Sequence, residues 1–276
     1  MLSRRAFIGG AGAVAGAVGV AAVGPNSLLH RLGLKVSPDH RVPTSGWTVT
    51  NHQLDSTAMA RPVTWAISEP PGGAKGVIVC LHGRNSTHRA AFDSIHLHDV
   101  AADLGYPLAI ASVDGGAHSY WHPRADGTDA LTMVLDELLP AVDVSLGAVL
   151  PRAMLGWSMG GYGALLVAEH APDRFTSVTA ASPALWLQPD EFSPGAFDSP
   201  DDFDAFNVFT RSAALAGLAI RVDCGTSDGF VHADRRFAEQ LPATNLGGFS
   251  NGYHDAPYWR SIAPAQLTTI AHSFGL

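Results

Sequence analysis

Apolar runs and helix-like patterns alternate along this chain from about Trp47 to the C-terminus. Gly76-Val-Ile-Val-Cys-Leu81 is a short, continuous apolar run, the composition of a central strand covered on both faces. Trp47–Leu54 and Val63–Ser68 read as an opening antiparallel pair, and further strands are expected at Leu108–Val113, Arg152–Trp157, Ser177–Ser182, Ala219–Cys224 and Leu246–Ser250. Helical patterns fall between them near Ala90–Leu104, Asp129–Val142, Gly161–His170, Val231–Gln240 and Tyr258–Phe274. This alternation predicts an α/β domain over residues 47–276, with a mostly parallel central sheet and helices on both faces. Leu187–Gly217 breaks the rhythm, being long, weakly periodic and rich in Asp, Pro and Phe, so it is a candidate lid insertion over a site, the alternative being a plain surface excursion.

Composition separates the first 24 residues from the rest. Ser3-Arg4-Arg5-Ala6-Phe7-Ile8 precedes an Ala/Gly/Val run without charge, the layout of a twin-arginine export signal, which implies the twin-arginine export machinery as a partner and a secreted or envelope location. Cleavage is expected after Ala22 or Gly24, and the chain would be attached to a membrane only if the segment stayed uncut. Residues 25–46 read as a polar, Pro-containing linker. The formal charge of -8, about -10 once Arg4 and Arg5 are removed, argues against nucleic acid or an anionic membrane surface as partner. Cys80 and Cys224 fall on strands expected to lie three places apart, about 14 Å at ordinary strand spacing. A disulfide needs Cα atoms within about 7 Å, so two free buried thiols are predicted.

Gly156-Trp157-Ser158-Met159-Gly160 matches G-x-S-x-G, a weak match by itself in a chain with 29 glycines. Its setting gives it weight: an apolar strand precedes it and a helix pattern follows. A serine at such a tight turn projects from the sheet, with the helix N-terminus favouring negative charge nearby. Ser158 is therefore the candidate nucleophile. It needs a base, and thirteen histidines are present. Only His254 follows the last expected strand and precedes the last helix. His170, His232 and His272 sit in or beside helices, where packed or solvated roles are expected. The acid should leave the preceding strand, which selects Asp228 over Asp223, still inside the apolar run; Asp255, adjacent to the histidine, is read as a local hydrogen-bonding residue. Backbone N–H groups of Met159 and Arg84 are the expected oxyanion donors, and His82 is read as structural. Neither His96-x-His98-Asp99 nor His118 with His122 completes a metal signature, so no metal and no cofactor are expected.

These motifs, Leu81-His-Gly-Arg84, Gly156-Trp-Ser-Met-Gly-Gly161, Cys224-Gly-Thr-Ser-Asp228 and Gly252-Tyr-His254 followed by Tyr258-Trp259-Arg260, resemble the esterase D-like branch of the α/β-hydrolases. That branch contains S-formylglutathione hydrolases, feruloyl and acetyl-xylan esterases and the antigen 85 mycolyltransferases. The resemblance covers about Gly76 to Phe274 and implies the α/β-hydrolase fold and the same three catalytic residues. It also implies that Asp114–His122 borders the site, making Tyr120, Trp121 and His122 pocket candidates, with Trp157 beside the nucleophile. The expected function is an exported serine esterase acting on a small-molecule, lipid or carbohydrate ester. The alternatives are an acyltransferase with the same first step and a non-catalytic surface-binding protein on the same fold.

Overall fold

Strands β3 (Gly76–Leu81), β4 (Leu108–Val113), β5 (Arg152–Trp157) and β6 (Ser177–Ala181) are buried almost throughout. Their mostly apolar sequences, broken only by Ser112, Arg152, Ser177 and Thr179, suit the middle of a sheet, where both faces meet helices. In the computed structural model, which describes residues 35–39 and 42–276, they are joined by β1 (Val49–Ser56), β2 (Arg61–Ser68), β7 (Ala219–Gly225) and β8 (Phe249–Ser250). The eight strands lie in the order β1-β2-β4-β3-β5-β6-β7-β8. The β1–β2 and β2–β4 pairs are antiparallel and the others parallel. Two apolar clusters, one on each face, form the core. Helix Met159–His170 belongs to one face and the final helix Ala256–Ser273 to the other. Cys80 and Cys224 are free and buried, separated by β5 and β6 as the expected strand order requires.

Several expected elements are altered by local chemistry. The pattern Ala90–Leu104 divides into Ala90–Asp93 and Leu97–Asp103, because His96 between them is left-handed at φ 60°. β8 is shorter than Leu246–Ser250. The Asn245 side chain accepts from the Val222 N–H at 2.8 Å and donates to its carbonyl at 3.0 Å, replacing ladder bonds that a longer strand would make.

The stretch 187–217 is folded rather than open, with short helices at Pro200–Ala205, Val208–Arg211 and Ser212–Gly217. Phe192, Phe197 and Phe203 cluster in it, and Arg124 grips Asp198 through two bonds of 3.1 and 2.6 Å.

The expected export signal lies outside the described residues, as do parts of the expected linker. The described part of 25–46 is not a free linker: Ser37 is buried, Asp39 pairs with Arg260, and Ser45 bonds Asp99 through both its N–H and its hydroxyl. Short polar side chains that satisfy groups on the domain surface hold this segment down. Among the described residues, no helix is long and apolar enough to cross a membrane.

One buried carboxyl is costly to ionise. Glu169, on the helix Met159–His170, is 3% exposed, and among the described residues neither carboxyl oxygen has a hydrogen-bond partner. Burial pushes its pKa up to about 9, against the opposing field of Arg211. The folded state therefore keeps the proton where the unfolded chain, titrating near 4.5, has lost it. This stability is complete below about pH 4.5 and is lost as pH rises towards 9. Glu169→Gln is expected to raise the unfolding free energy at pH 7 by about 2–3 kcal/mol and to change it little at pH 4. Urea unfolding at the two pH values checks this; equal effects at both would contradict a neutral buried carboxyl.

Candidate active site

The tip of β5 turns directly into helix Met159–His170 at Ser158, whose φ of 56° and ψ of -124° are strained for a residue with a side chain. Two glycines permit the turn. A Cβ on Gly156 would lie 2.0 Å from the Gly160 oxygen, and one on Gly160 would lie 1.9 Å from the Leu81 oxygen. The Ser158 N–H donates to Ala181 at 3.0 Å, and its carbonyl accepts from Tyr162 and Ala184, both at 3.0 Å. The hydroxyl is thereby aimed away from the sheet, half-buried.

Two loops at the same sheet edge bring the other predicted residues to it. Ser158 Oγ is 2.8 Å from His254 Nε2, and His254 Nδ1 is 2.8 Å from Asp228 Oδ2. The Asp228 side chain is fully buried while the imidazole is 27% exposed, so the pair is sealed from behind and open towards the serine. Burial pulls the Asp228 carboxyl upwards, but the facing imidazole, its hydrogen bond, the Phe230 N–H and the Ser182 hydroxyl together hold it below the ordinary carboxylate range. It stays ionised, which fixes the Nδ1–H tautomer of His254 and leaves Nε2 free to accept the serine proton. Phe230 and Trp259 flank the imidazole, each with ring centroids 5.2 Å away, and Trp259 Nε1 donates to Ser182 Oγ at 3.2 Å.

The remaining candidates separate by their contacts. Asp223 is held by Arg221 at 2.7 and 2.9 Å and by Gln266 at 3.1 Å, a structural ion pair. Asp255 caps the final helix, accepting from Tyr258 N–H at 3.0 Å. His170 bonds the Leu166 carbonyl, and His232 and His272 are exposed. His82 is buried, with Nδ1 towards the Gly83 carbonyl and Nε2 accepting from Gly115 N–H. His96 and His98 both approach Asp99, which also accepts two bonds from Ser45. Among the described residues, no cluster of three His, Cys, Asp or Glu forms a metal site.

Ser158 opens into a cleft of about 620 Å³. Met159 is the first residue of its helix, so its N–H has no carbonyl one turn earlier to bond. The loop carrying Arg84 passes close by: a Cβ on Gly83 would touch the Trp157 ring at 3.2 Å and Ser158 Cβ at 3.4 Å. Tyr120 and Trp157 line the cleft, but Trp121 and His122 do not. Tyr120 and Trp121 are both left-handed, with φ of 47° and 59°, and the side chains of Trp121 and His122 turn inwards. Trp121 is fully buried against Gly115 and Gly163. His122 lies between Phe197 and Phe206, with its ring nitrogens 2.8 and 3.0 Å from the carbonyls of Pro123 and Ala196. Its role is to anchor the 187–217 insertion. That insertion contributes Ser193 and Pro194 to the cleft, and Phe230 and Trp259 complete its apolar wall. Residue type and spacing alone do not mark these four, although Trp259 stands in a motif of the family resemblance and Phe230 follows the acid by two positions.

A strained serine between strand and helix, with a histidine and acid supplied by later loops of a mostly parallel sheet, defines an α/β-hydrolase. The family model described as Esterase matches residues 56–268, and the chain belongs to that family, whose class is carboxylic ester hydrolase. An iron(III) salmochelin esterase of Escherichia coli O6:H1 is 30% identical over 112 residues, covering 39% of this chain but only 27% of that protein. A solved ferulic acid esterase has a TM-score of 0.72 at 21% identity, covering 82% of this chain and 98% of the other. An S-formylglutathione hydrolase from Agrobacterium tumefaciens gives 0.71 at 16% identity, covering 87% of this chain and all of the other, 100%. At these identities the two solved structures speak for the fold.

Proposed function

We propose that this protein hydrolyses carboxylic esters through an acyl-enzyme on Ser158. The observation carrying this reading is the continuous Ser158–His254–Asp228 hydrogen-bond chain, with both links at 2.8 Å, on a strained strand–helix turn. Ser158 Oγ attacks the ester carbonyl carbon as His254 Nε2 takes its proton. The oxyanion points to the N–H groups of Met159 and Arg84, and the imidazolium faces ionised Asp228. Collapse breaks the bond to the alcohol, which leaves with the proton from His254. Water then attacks the acyl-enzyme by the same route, releasing the acid and restoring the serine. The aromatic wall of Tyr120, Trp157, Phe230 and Trp259 gives the cleft an apolar surface for the substrate. The enzyme is exported in this reading, on the strength of Arg4-Arg5 and the uncharged run after them. Fractionation of expressing cells tests that part.

The chemistry is tested with p-nitrophenyl esters from acetate to palmitate, with and without an added acceptor alcohol. Free acid is expected as the dominant product throughout. Dominant formation of a new ester would make the protein an acyltransferase, and failure of a fluorophosphonate to label Ser158 in folded protein would leave it a binding protein.

A further inference from the structure

Among the described residues, none in the wall of the cleft around Ser158 is an aspartate or glutamate, and Arg84 is the one permanently charged side chain there. Seven of the ten other described arginines pair with a carboxylate, and Arg61, Arg211 and Arg235, which do not, lie outside this cleft. Arg84 is exposed at the cleft, and among the described residues no carboxylate pairs with it. Its neighbours Asn85 and Ser86 also face the cleft and add neutral polar groups. In a chain of net charge -8, an unpaired guanidinium beside the nucleophile is a local reversal of the overall field. A guanidinium presents a planar fork that matches a carboxylate with two parallel hydrogen bonds. One positive charge balances one negative charge, so a monoanionic carboxylate fits this arm better than a phosphate dianion.

We propose that the substrate is an ester that also bears a carboxylate, held by Arg84 within one arginine side-chain length of the scissile carbonyl. This rests on the hydrolase reading, in which the backbone N–H of the same residue faces the oxyanion. Two matched pairs test it: p-nitrophenyl hemisuccinate against its methyl-capped diester, with the charge on the acyl side, and 4-acetoxybenzoate against its methyl ester, with the charge on the alcohol side. The readout is the anionic-to-neutral ratio of kcat/KM within each protein, so a general loss of activity in a variant cancels. The wild type should favour the anion about tenfold in at least one pair at low salt. The ratio should fall to about one in Arg84→Met and invert in Arg84→Glu. Hydrolysis of the neutral esters with no anion preference, or a preference unchanged in Arg84→Met, overturns this proposal alone. No hydrolysis of either member by folded protein overturns the hydrolase reading and this proposal with it.

A separate set of contacts bears on the histidine. Ser37, 2% exposed, donates its N–H to Asp255 Oδ2 at 2.9 Å, and its Oγ accepts from Tyr253 N–H at 2.9 Å. It thus bonds the residues on both sides of His254, 216 or more positions away in sequence. Asp39 ties down the same segment through two bonds to Arg260, of 3.0 and 2.6 Å. We infer that Ser37 is a positioning residue that holds the histidine loop at hydrogen-bond distance from Ser158. In Ser37→Ala, kcat and the rate of fluorophosphonate labelling should fall together by about tenfold, with KM within about twofold. Ser37→Thr, which keeps both groups, should restore them. An unchanged kcat, or a fall explained wholly by a lower folded fraction in the thermal melt, overturns the inference.

Discussion

Ser158→Ala should lower kcat on p-nitrophenyl butyrate by roughly 10⁴- to 10⁶-fold and abolish fluorophosphonate labelling, with the melting temperature little changed. Removing the hydroxyl deletes the attacking atom and leaves His254 with nothing to deprotonate, whereas the bonds that hold the turn are all made by the Ser158 backbone. His254→Ala should cost nearly as much, and the double variant should be no slower than the worse single, because the two groups act in one proton transfer. Ser158→Gly separates catalysis from folding. It should be equally inactive yet more stable by about 1–2 kcal/mol, since glycine relieves the strained φ of 56° that alanine retains. Substantial activity in Ser158→Ala would remove the serine from the mechanism, and no gain in stability in Ser158→Gly would mean that the turn stores no strain.

Gly160→Ala is expected to give the largest loss of stability, about 4 kcal/mol or more, or no soluble protein. Its Cβ would lie 1.9 Å from the Leu81 oxygen, 2.4 Å from the Leu81 carbonyl carbon and 2.7 Å from the His82 oxygen. All three are backbone atoms at the end of β3, which is hydrogen-bonded to β4 on one side and β5 on the other and cannot retreat without breaking the sheet. Gly217, around which nothing lies within 4 Å of an added Cβ, supplies the control, and Gly217→Ala should change stability by less than about 0.5 kcal/mol. Urea unfolding of the two variants tests the pair. A Gly160→Ala protein within about 1 kcal/mol of the parent would mean that the β3 end yields more easily than a central strand should.

The central strands were readable because burial on both faces demands unbroken apolar runs. The expected bounds of β3, β4 and β5 match those observed. Ser158, Asp228 and His254 could be brought together on paper because this sheet puts successive strand ends, and hence their loops, along one edge. Errors arose where local geometry departs from the pattern. Tyr120, Trp121 and His122 are equivalent as aromatic neighbours of a site, yet two consecutive left-handed residues leave one in the cleft and bury the other two. The described part of the polar segment 25–46 is docked because Ser37, Asp39 and Ser45 find partners on the catalytic domain, which composition cannot reveal.

The order of amino acids alone carries the sheet, the strand-to-helix turn at Ser158 and the chain order of nucleophile, acid and histidine. Periodic burial, glycine tolerance and strand order are properties of short stretches and their succession. The folded chain alone shows which aromatic side chains face the cleft, that among the described residues no carboxylate pairs with Arg84, and that Ser37 secures both neighbours of His254. Those outcomes depend on backbone turns and on contacts between residues far apart in the chain, where direction and distance, rather than residue type, select the partner.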